Sequence, residues 1–492
     1  MYQIAQAVLW GWVPLVLVMF LIMPARRAVV VALIGSWLFL PQLAYSVPLM
    51  PDFTKVTATS YGIILGALIL DPKSRVLNFK PMLIDIPMAV WVISPFFSSI
   101  TNDLGLYDGA AQIVDKSITH GLPYLIGRLY FRTPDDAKEF AMGLLVGGML
   151  YVPLCLYEIR MSPHLHEMIY GFRPLNDWQQ VKRWGGWRPM VFMKHGLMVG
   201  VWMTTTAAMA FWLWRTRAIK DIFGVPMAII GPIIIMTAIL CKTTGAVMLF
   251  GIVLVAMLAV RYLDMKALLY AIIWGIPVFL LLRVTGLFTG EGVAEMIGSV
   301  FPPLEERASS LQYRLDHENA IVGRTYEKPL LGWGGWGDAF QVYLPEYNSR
   351  AVPDSLWVRA FGEGGIIGLT SLFAYNLIPP LVLLMKMKPK EWCSPRCAPI
   401  TGMAMIILIY VMDCMFNTME NPVFIVAIGG VSTMAACLSR DKVKRVQPVD
   451  AGPPLASSGT PDDGGDDDLS SDDPLILIDP PIDHDRPLGG AT

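Results

Sequence analysis

Two arginines, Arg183 and Arg188, enclose a Trp-Gly-Gly-Trp sequence shortly before an apolar segment that follows His195. Guanidinium groups bind phosphate oxygens through paired hydrogen bonds, so this pattern indicates a clamp for a lipid diphosphate at a membrane surface. In a second interpretation, the arginines extend to lipid head groups while Trp184 and Trp187 join an interfacial aromatic belt. The sequence leaves both interpretations open.

Two further cations stand at the ends of apolar segments. Lys242 lies in a connection of a few residues between two such segments, so we expect it at the membrane surface or in a cavity. Arg128 follows Pro123, Tyr124 and Gly127 within an apolar segment. Either cation is a candidate ligand, and either one also fits an ordinary helix end.

A long polar region after residue 285 contains one stretch with helical periodicity. Apolar residues recur from Leu304 to Val322, while Arg307 and Arg314 share another face. This pattern is typical of a helix that lies on a membrane surface.

A glycine-rich sequence with two tryptophans, Trp333 and Trp336, follows Arg324. It lacks the strand and helix that flank a phosphate-binding loop. Tryptophan rings can stack on sugars, but anchoring at the membrane interface explains these two equally well.

Three carboxylates stand at or within apolar segments, where an ionised group is costly and often functional: Asp354, Glu363 and Asp413. Asp354 precedes an apolar helix and is placed to accept a proton. It would equally serve as the cap of that helix. For Asp413 we expect an arginine partner. Gly364 and Gly368 predict close helix packing.

The composition indicates which structural elements hold these residues in place. Hydrophobic residues make up 54% of the chain and charged residues only 16%. This hydrophobic fraction exceeds what the core of one soluble domain would use. The sequence therefore predicts an all-α polytopic integral membrane protein with about 12 to 13 transmembrane helices. The 13 candidate segments are 7–24, 28–47, 59–70, 82–98, 118–131, 138–158, 196–214, 222–240, 245–260, 266–284, 357–385, 399–417 and 421–438.

Lysine and arginine concentrate in alternate loops, which predicts that these loops are cytoplasmic. The loops 159–194 and 285–356 then lie outside, the second of them before the last three segments. The membrane domain is expected to span 1–438. The remainder, 439–492, is rich in Asp, Pro, Gly and Ser and predicts a disordered cytoplasmic tail. Its apolar patch at 475–478 is either a docking motif for assembly proteins or without function.

Six scattered cysteines do not form a disulfide framework. Cys393 and Cys397 have no second pair of ligands nearby in the sequence, so we expect no zinc site. No motif predicts another metal, a cofactor or a nucleic-acid partner.

Several of these sequences together resemble the O-antigen ligase and polymerase superfamily. They are Arg188-Pro189 before a helix, 242–246 between two helices, and 329–334 followed by a polar pair and then 363–369. The likeness covers about residues 1–438. It implies a metal-independent glycosyltransferase that takes a glycan from undecaprenyl diphosphate at the outer face of the bacterial inner membrane and passes it to a glycan or lipid acceptor.

The resemblance also assigns roles to residues. Arg188 matches the family's arginine before the helix, and Arg314 or Arg324 would supply a cation from the loop. Where ligases of the family usually have histidine and asparagine, this chain has Asp354 and Ser355. This departure favours an exopolysaccharide or O-antigen polymerase over a ligase.

The sequence patterns and the resemblance together give a full set of candidates. Asp354, Arg188 and Arg314 are the catalytic ones; Arg324, Lys242, Arg183, Arg128, Trp333 and Glu363 are the substrate-binding ones. A secondary transporter or flippase for lipid-linked glycans remains the alternative, with Asp413, Glu363 and Arg128 as intramembrane groups.

Overall fold

Helices account for 72% of the computed structural model. It describes residues 3–47, 51–71, 73, 75–175, 181–183, 185–292, 296, 305–335 and 337–438. The predicted acidic tail, Trp184 and Trp336 lie outside the described residues. One compact unit covers Met1–Ala436.

The helices, in chain order, are α1 Gln3–Ile22, α2 Ala25–Phe39, α3 Lys55–Ile69, α4 Ile86–Thr101, α5 Leu106–Lys116, α6 Leu122–Tyr130, α7 Pro134–Met161, α8 Leu165–Tyr170, α9 Gly196–Arg215, α10 Met227–Leu240, α11 Thr244–Leu263, α12 Ala267–Val284, α13 Glu305–Thr325, α14 Leu356–Lys386, α15 Pro389–Trp392, α16 Ala398–Cys414 and α17 Pro422–Cys437. Three hairpins consist of β1 Lys182–Arg183 with β2 Gly186–Trp187, β3 Asp221–Ile222 with β4 Val225–Pro226, and β5 Tyr343–Leu344 with β6 Ser349–Arg350.

The apolar helices confirm a multi-pass membrane fold. Among the described residues, seven helices are long and apolar enough to cross a bilayer, namely α1, α4 with the short turn before it, α7, α9, α11, α12 and α14. Four shorter apolar helices, α3, α10, α16 and α17, accompany them. The finer count of 12 to 13 spans stays a prediction. The segment predicted at 118–131 is part of a longer helical run, in which a π-helical turn, Ser117–Gly121, joins α5 to α6.

The distribution of burial separates central from peripheral helices. On α1, Leu21 and Ile22 are about two-thirds exposed or more, at 67% and 72%. On α9, by contrast, Trp202 and Trp212 are completely buried. Such large exposed aliphatic side chains suit contact with lipid, whereas a helix that is apolar on all sides suits the protein interior.

Antiparallel packing brings the long loops to one end of the bundle, which we call the loop end. Trp212 near the end of α9 donates from Nε1 to Thr401 Oγ1 near the start of α16 at 2.9 Å. Ser98 near the end of α4 donates to the carbonyl of Glu363 in α14 at 3.1 Å. The end of α16 and the start of α14 meet at Arg314, which contacts residues beside both. The loop end therefore holds the start of α9, the end of α16 and the start of α14.

Basic side chains close the opposite end, which we call the basic end. Lys266, at the start of α12, donates to the carbonyls of Leu384 and Met387 at 2.6 and 2.7 Å. Lys386, at the end of α14, donates to the carbonyl of Ala435 at 2.8 Å. These contacts satisfy carbonyls at helix ends that have no partner within their own helix.

Candidate functional site

Helix α14 is broken near the loop end, where Gly365 adopts φ +58° and ψ −156°. A helix break leaves N–H and C=O groups without partners. The segment 329–334, which follows α13 as a series of turns, supplies them. Trp333 and Gly334 donate to the carbonyls of Gly362 and Glu363, and Ile366 and Ile367 donate to the carbonyls of Pro329 and Leu330, at 2.8 to 3.2 Å. The two glycine-rich sequences singled out above therefore form one structure, which we call the interlock.

Glycine is required at the two closest points of the interlock. A Cβ atom on Gly365 would lie 2.5 Å from the carbonyl oxygen of Leu330. One on Gly332, which has φ +67°, would lie 2.6 Å from the carbonyl oxygen of Gly362. Both positions also have φ values that side-chain-bearing residues rarely adopt. Gly364, for which close packing was predicted, has no atom within 4 Å of such a Cβ.

Helix α13 presents three polar residues to the segment 352–355. Arg314, His317 and Glu318 share one face because they are three and four residues apart. His317 Nδ1 accepts from the N–H of Val352 at 2.9 Å, Glu318 Oε1 accepts from the Ser355 hydroxyl at 2.7 Å, and Arg314 Nε lies 3.6 Å from Asp354 Oδ2. The structure thus brings together two of the three predicted catalytic residues, Arg314 and Asp354.

A buried ion pair anchors this arrangement to the membrane helices. Arg283 Nη2, at the end of α12, donates to Glu318 Oε2 at 2.9 Å. Arg283 also donates to the carbonyls of Phe288 and Thr289 at 3.1 and 2.6 Å. Burial raises the pKa of Glu318, although Ser355 and Arg283 favour its charged form. A buried pair with such complete hydrogen bonding holds α12, α13 and the start of α14 in one geometry.

Asp354 itself remains accessible. Its side chain is 34% exposed and that of Arg314 is 33% exposed. Arg314 Nη1 donates to the carbonyl of Phe416 at 2.8 Å, which fixes the guanidinium beside the carboxylate. The N-cap residue of α14 is Ser355, and no side-chain cap bond is formed there. Helix capping therefore does not account for Asp354.

A polar cleft of about 360 Å³ opens beside Asp354 at the loop end. This volume falls within the range of small-molecule sites. The cleft is lined by Gly335, Gly337, Phe340, Pro353, Arg359, Glu363 and Thr418. Glu363, predicted as a substrate-binding residue, therefore lines the same cleft as Pro353, the residue that directly precedes Asp354.

Arg359, which the sequence analysis did not single out, lines the cleft beside Glu363, and further charged residues lie behind this pair. Arg359 Nε donates to Glu363 Oε1 at 2.8 Å. Behind it, Lys116 Nζ lies 3.8 Å from Glu363 Oε2, and His120 Nε2 lies 3.9 Å from Glu420 Oε2. Burial raises the pKa of Glu420, but the neighbouring cations more than offset this effect and leave it below the ordinary value. Arg359 stands four residues before Glu363, a spacing that the sequence does show.

Arg188 and Lys242 form a second group of cations. Arg188 is buried, and its Nη2 donates to the carbonyl of Lys242 at 3.3 Å. A Cβ atom on Gly196 would lie 2.5 Å from Arg188 Cγ, and one on Gly186 would collide with Lys242 Nζ. Arg183 pairs with Gly186 in the β1–β2 hairpin. The hairpin, the start of α9 and the α10–α11 connection thus bring three predicted cations into one region.

A buried carboxylate holds the segment that carries Arg188. Glu158, near the end of α7, accepts from the N–H groups of Met190 and Val191 at 2.8 and 2.7 Å and from that of Leu165 at 3.0 Å. Three backbone donors on one carboxylate make strong, charge-assisted hydrogen bonds. Glu158 therefore fixes the path of the first long loop where it approaches the membrane helices.

Arg324 and Trp333 contact each other. The Arg324 guanidinium carbon lies 3.7 Å from the centroid of the Trp333 ring, and its Nη1 pairs with Glu327 Oε2 at 2.6 Å. Lys328 Nζ lies 4.4 Å from the same centroid. Two cations, Arg324 and Lys328, therefore lie against the Trp333 ring, for which stacking on a sugar was one of the two interpretations.

Arg128 lies at the basic end. It is buried and donates from Nε and Nη2 to the two carboxylate oxygens of Asp85 at 2.7 and 2.8 Å. Its Nη1 donates to Thr433 Oγ1 at 2.6 Å. These contacts link α6 to α17 and give Arg128 a structural role far along the bundle from the cleft. Asp413 accepts from Asn417 Nδ2 at 2.8 Å, and the arginine that was predicted to accompany it is Arg314, which interacts with it electrostatically.

Comparison with known proteins gives no family for the chain. No protein-family model matches it, and no curated protein matches it. The assignment to the O-antigen ligase and polymerase superfamily accordingly continues as a proposal.

Proposed function

We propose that the chain is a membrane glycosyltransferase that polymerises glycan units carried on undecaprenyl diphosphate, at the periplasmic face of the bacterial inner membrane. One observation carries the proposal: the accessible Asp354 carboxylate is fixed beside Arg314, and it directly follows Pro353, which lines a polar cleft at the loop end of an apolar bundle. A hydroxylated acceptor and a lipid-anchored donor can meet only where water and lipid adjoin, and the loop end is such a place.

The chemistry is a displacement at the anomeric carbon of the donor sugar. Asp354 takes the proton of the acceptor hydroxyl as the new C–O bond forms. The bond between the anomeric carbon and the diphosphate oxygen breaks, and its electron pair leaves with the lipid diphosphate. Arg314, and the group formed by Arg188 and Lys242, would offset the negative charge that develops on the leaving group.

A polymerase is favoured over a ligase because of Asp354. Asp354 stands where ligases of the proposed family usually have histidine. A carboxylate at this position explains the contact with Arg314, because the two side chains carry opposite charges. Of the remaining candidates, Glu363 lines the cleft and Arg324 and Trp333 lie on the segment before α14. Arg183 and Lys242 belong to the second group of cations.

A secondary transporter for lipid-linked glycans is the second candidate. The observation in its favour is the break in α14 at Gly365, next to the charged residues Glu363, Lys116 and His120. Broken helices with nearby titratable groups line substrate paths in many transporters. In this protein, however, the broken backbone is hydrogen-bonded to the segment 329–334 and is not left open to a substrate.

Reconstitution separates the two functions. The purified protein in liposomes receives a lipid-diphosphate glycan donor extracted from the host's own membranes, and the products are resolved by gel electrophoresis. A ladder of glycans that differ by one repeat unit supports the transferase. Movement of the intact donor between leaflets without any ladder would support the transporter.

A further inference from the structure

The cleft is lined by the ion pair of Arg359 and Glu363, and the charged side chains behind this pair nearly cancel one another. Arg359 and Lys116 face the carboxylates of Glu363 and Glu420. A diphosphate in the cleft would approach the Glu363 carboxylate, which is unfavourable for an anion. A neutral ligand with many hydroxyl groups meets donors and acceptors in alternation, which is favourable. The wall therefore fits a sugar better than a phosphate.

The Arg359 guanidinium has hydrogen-bonding capacity to spare. Among the described residues, its one hydrogen bond runs from Nε to Glu363 Oε1 at 2.8 Å. The two terminal nitrogens remain for a ligand, and the side chain is 40% exposed. A guanidinium presents its donors in a fixed plane and can bind two neighbouring oxygen atoms at once. Neighbouring hydroxyl groups of a sugar ring provide such a pair.

The shape and position of the cleft agree with this ligand. An aromatic residue, Phe340, lines the cleft together with Gly335 and Gly337. Pro353, which lines the cleft, directly precedes Asp354 in the chain. A general base must lie within about 3 Å of the proton that it removes, so the sugar whose hydroxyl attacks has to lie next to Asp354.

We propose that this cleft is the acceptor subsite, in which Arg359 and Glu363 bind hydroxyl groups of the acceptor glycan and orient the attacking hydroxyl toward Asp354. The proposal rests on the function proposed above and assigns the substrate class to this part of the site. The donor diphosphate then lies outside the cleft, beyond the charged wall. Lys116 holds the Glu363 carboxylate from behind, so the wall is positioned before the ligand arrives.

Binding measurements with two probes test the assignment. The first probe is an oligosaccharide fraction released by mild acid from the host's own polysaccharide, and the second is inorganic diphosphate. Both are titrated calorimetrically into the full-length protein in detergent. We expect Arg359→Lys and Glu363→Gln each to weaken oligosaccharide binding by about 10- to 100-fold, the range for hydrogen bonds to charged groups. Binding of inorganic diphosphate should not change.

Matched variants at the basic end control for general damage. Arg27→Lys and Glu139→Gln alter an exposed ion pair with a separation of 3.1 Å and should bind both probes as the parent does. If Arg359→Lys and Glu363→Gln instead weaken the binding of inorganic diphosphate and leave oligosaccharide binding unchanged, the assignment is overturned and the cleft is a donor site. Oligosaccharide binding at the parental level in both, or a parent that binds no oligosaccharide, would also overturn it. A parent that binds the oligosaccharide but makes no polymer would instead refute the transferase.

Discussion

The interlock predicts an unusually large effect for one methyl group, in the substitution Gly365→Ala. A residue with a side chain at φ +58° and ψ −156° costs about 1–3 kcal/mol. The new Cβ would also lie 2.5 Å from the carbonyl oxygen of Leu330, so the segment 329–334 must move away. That movement breaks the hydrogen bonds donated by Ile366 and Ile367, each worth about 0.5–1.5 kcal/mol. The expected loss is about 2–6 kcal/mol in all.

The neighbouring glycine provides the control. Gly364→Ala adds the same methyl group where no atom lies within 4 Å, and alanine is favoured over glycine inside a helix by up to about 1 kcal/mol. Thermal unfolding in detergent, followed by tryptophan fluorescence, should show Gly365→Ala melting well below the parent and Gly364→Ala melting at or above it. If the two variants melt together, the interlock does not hold the break in α14 and our reasoning about it is wrong.

Three further predictions follow from the loop end. A phosphatase fused after Asn348 should be active in the periplasm and one fused after Lys444 should not, because basic residues close the opposite end of the bundle; the reverse activities would contradict this orientation. Arg314→Lys should lower the polymerisation rate by about 10- to 100-fold, since an ammonium group cannot reach both Asp354 and the Phe416 carbonyl; an unchanged rate in vitro would remove Arg314 from the site. Burial lowers the pKa of His317, although nearby carboxylates act in the opposite direction. The neutral form of His317 should therefore stabilise the fold above about pH 6.5, and this stability should be lost as the pH falls through the pKa of the folded state. Hydrogen exchange of residues 343–354 should then rise in acid in the parent but not in His317→Asn.

The membrane fold could be predicted because the bilayer imposes a length. A run of about 20 apolar residues has few alternatives to a spanning helix, and α9, α11 and α12 lie where such runs were seen. The short helices α16 and α17 were visible for the same reason. The π-helical turn between α5 and α6 was not, because it depends on packing and leaves no periodic signal.

Candidate residues could be selected from the sequence, but the geometry that brings them together could not be predicted. Asp354 was selected as a carboxylate that is costly near a membrane and Arg314 was selected through the family resemblance, and the structure places them 3.6 Å apart. Their meeting depends on the fold of the intervening loop, which no hydrophobic pattern encodes. Lys116 was missed because it comes from a distant part of the chain. Asn417, in contrast, stands four residues after Asp413, and helical spacing could have identified it as the partner.

The central claim is that Asp354 takes the proton of an attacking sugar hydroxyl. Asp354→Asn preserves the size of the side chain but cannot accept that proton at neutral pH. With purified protein and a lipid-diphosphate glycan donor, we expect the rate of polymer formation to fall by about 100- to 10,000-fold, with the thermal melting temperature unchanged because the side chain is accessible. Polymer formed by Asp354→Asn at the parental rate would contradict the claim.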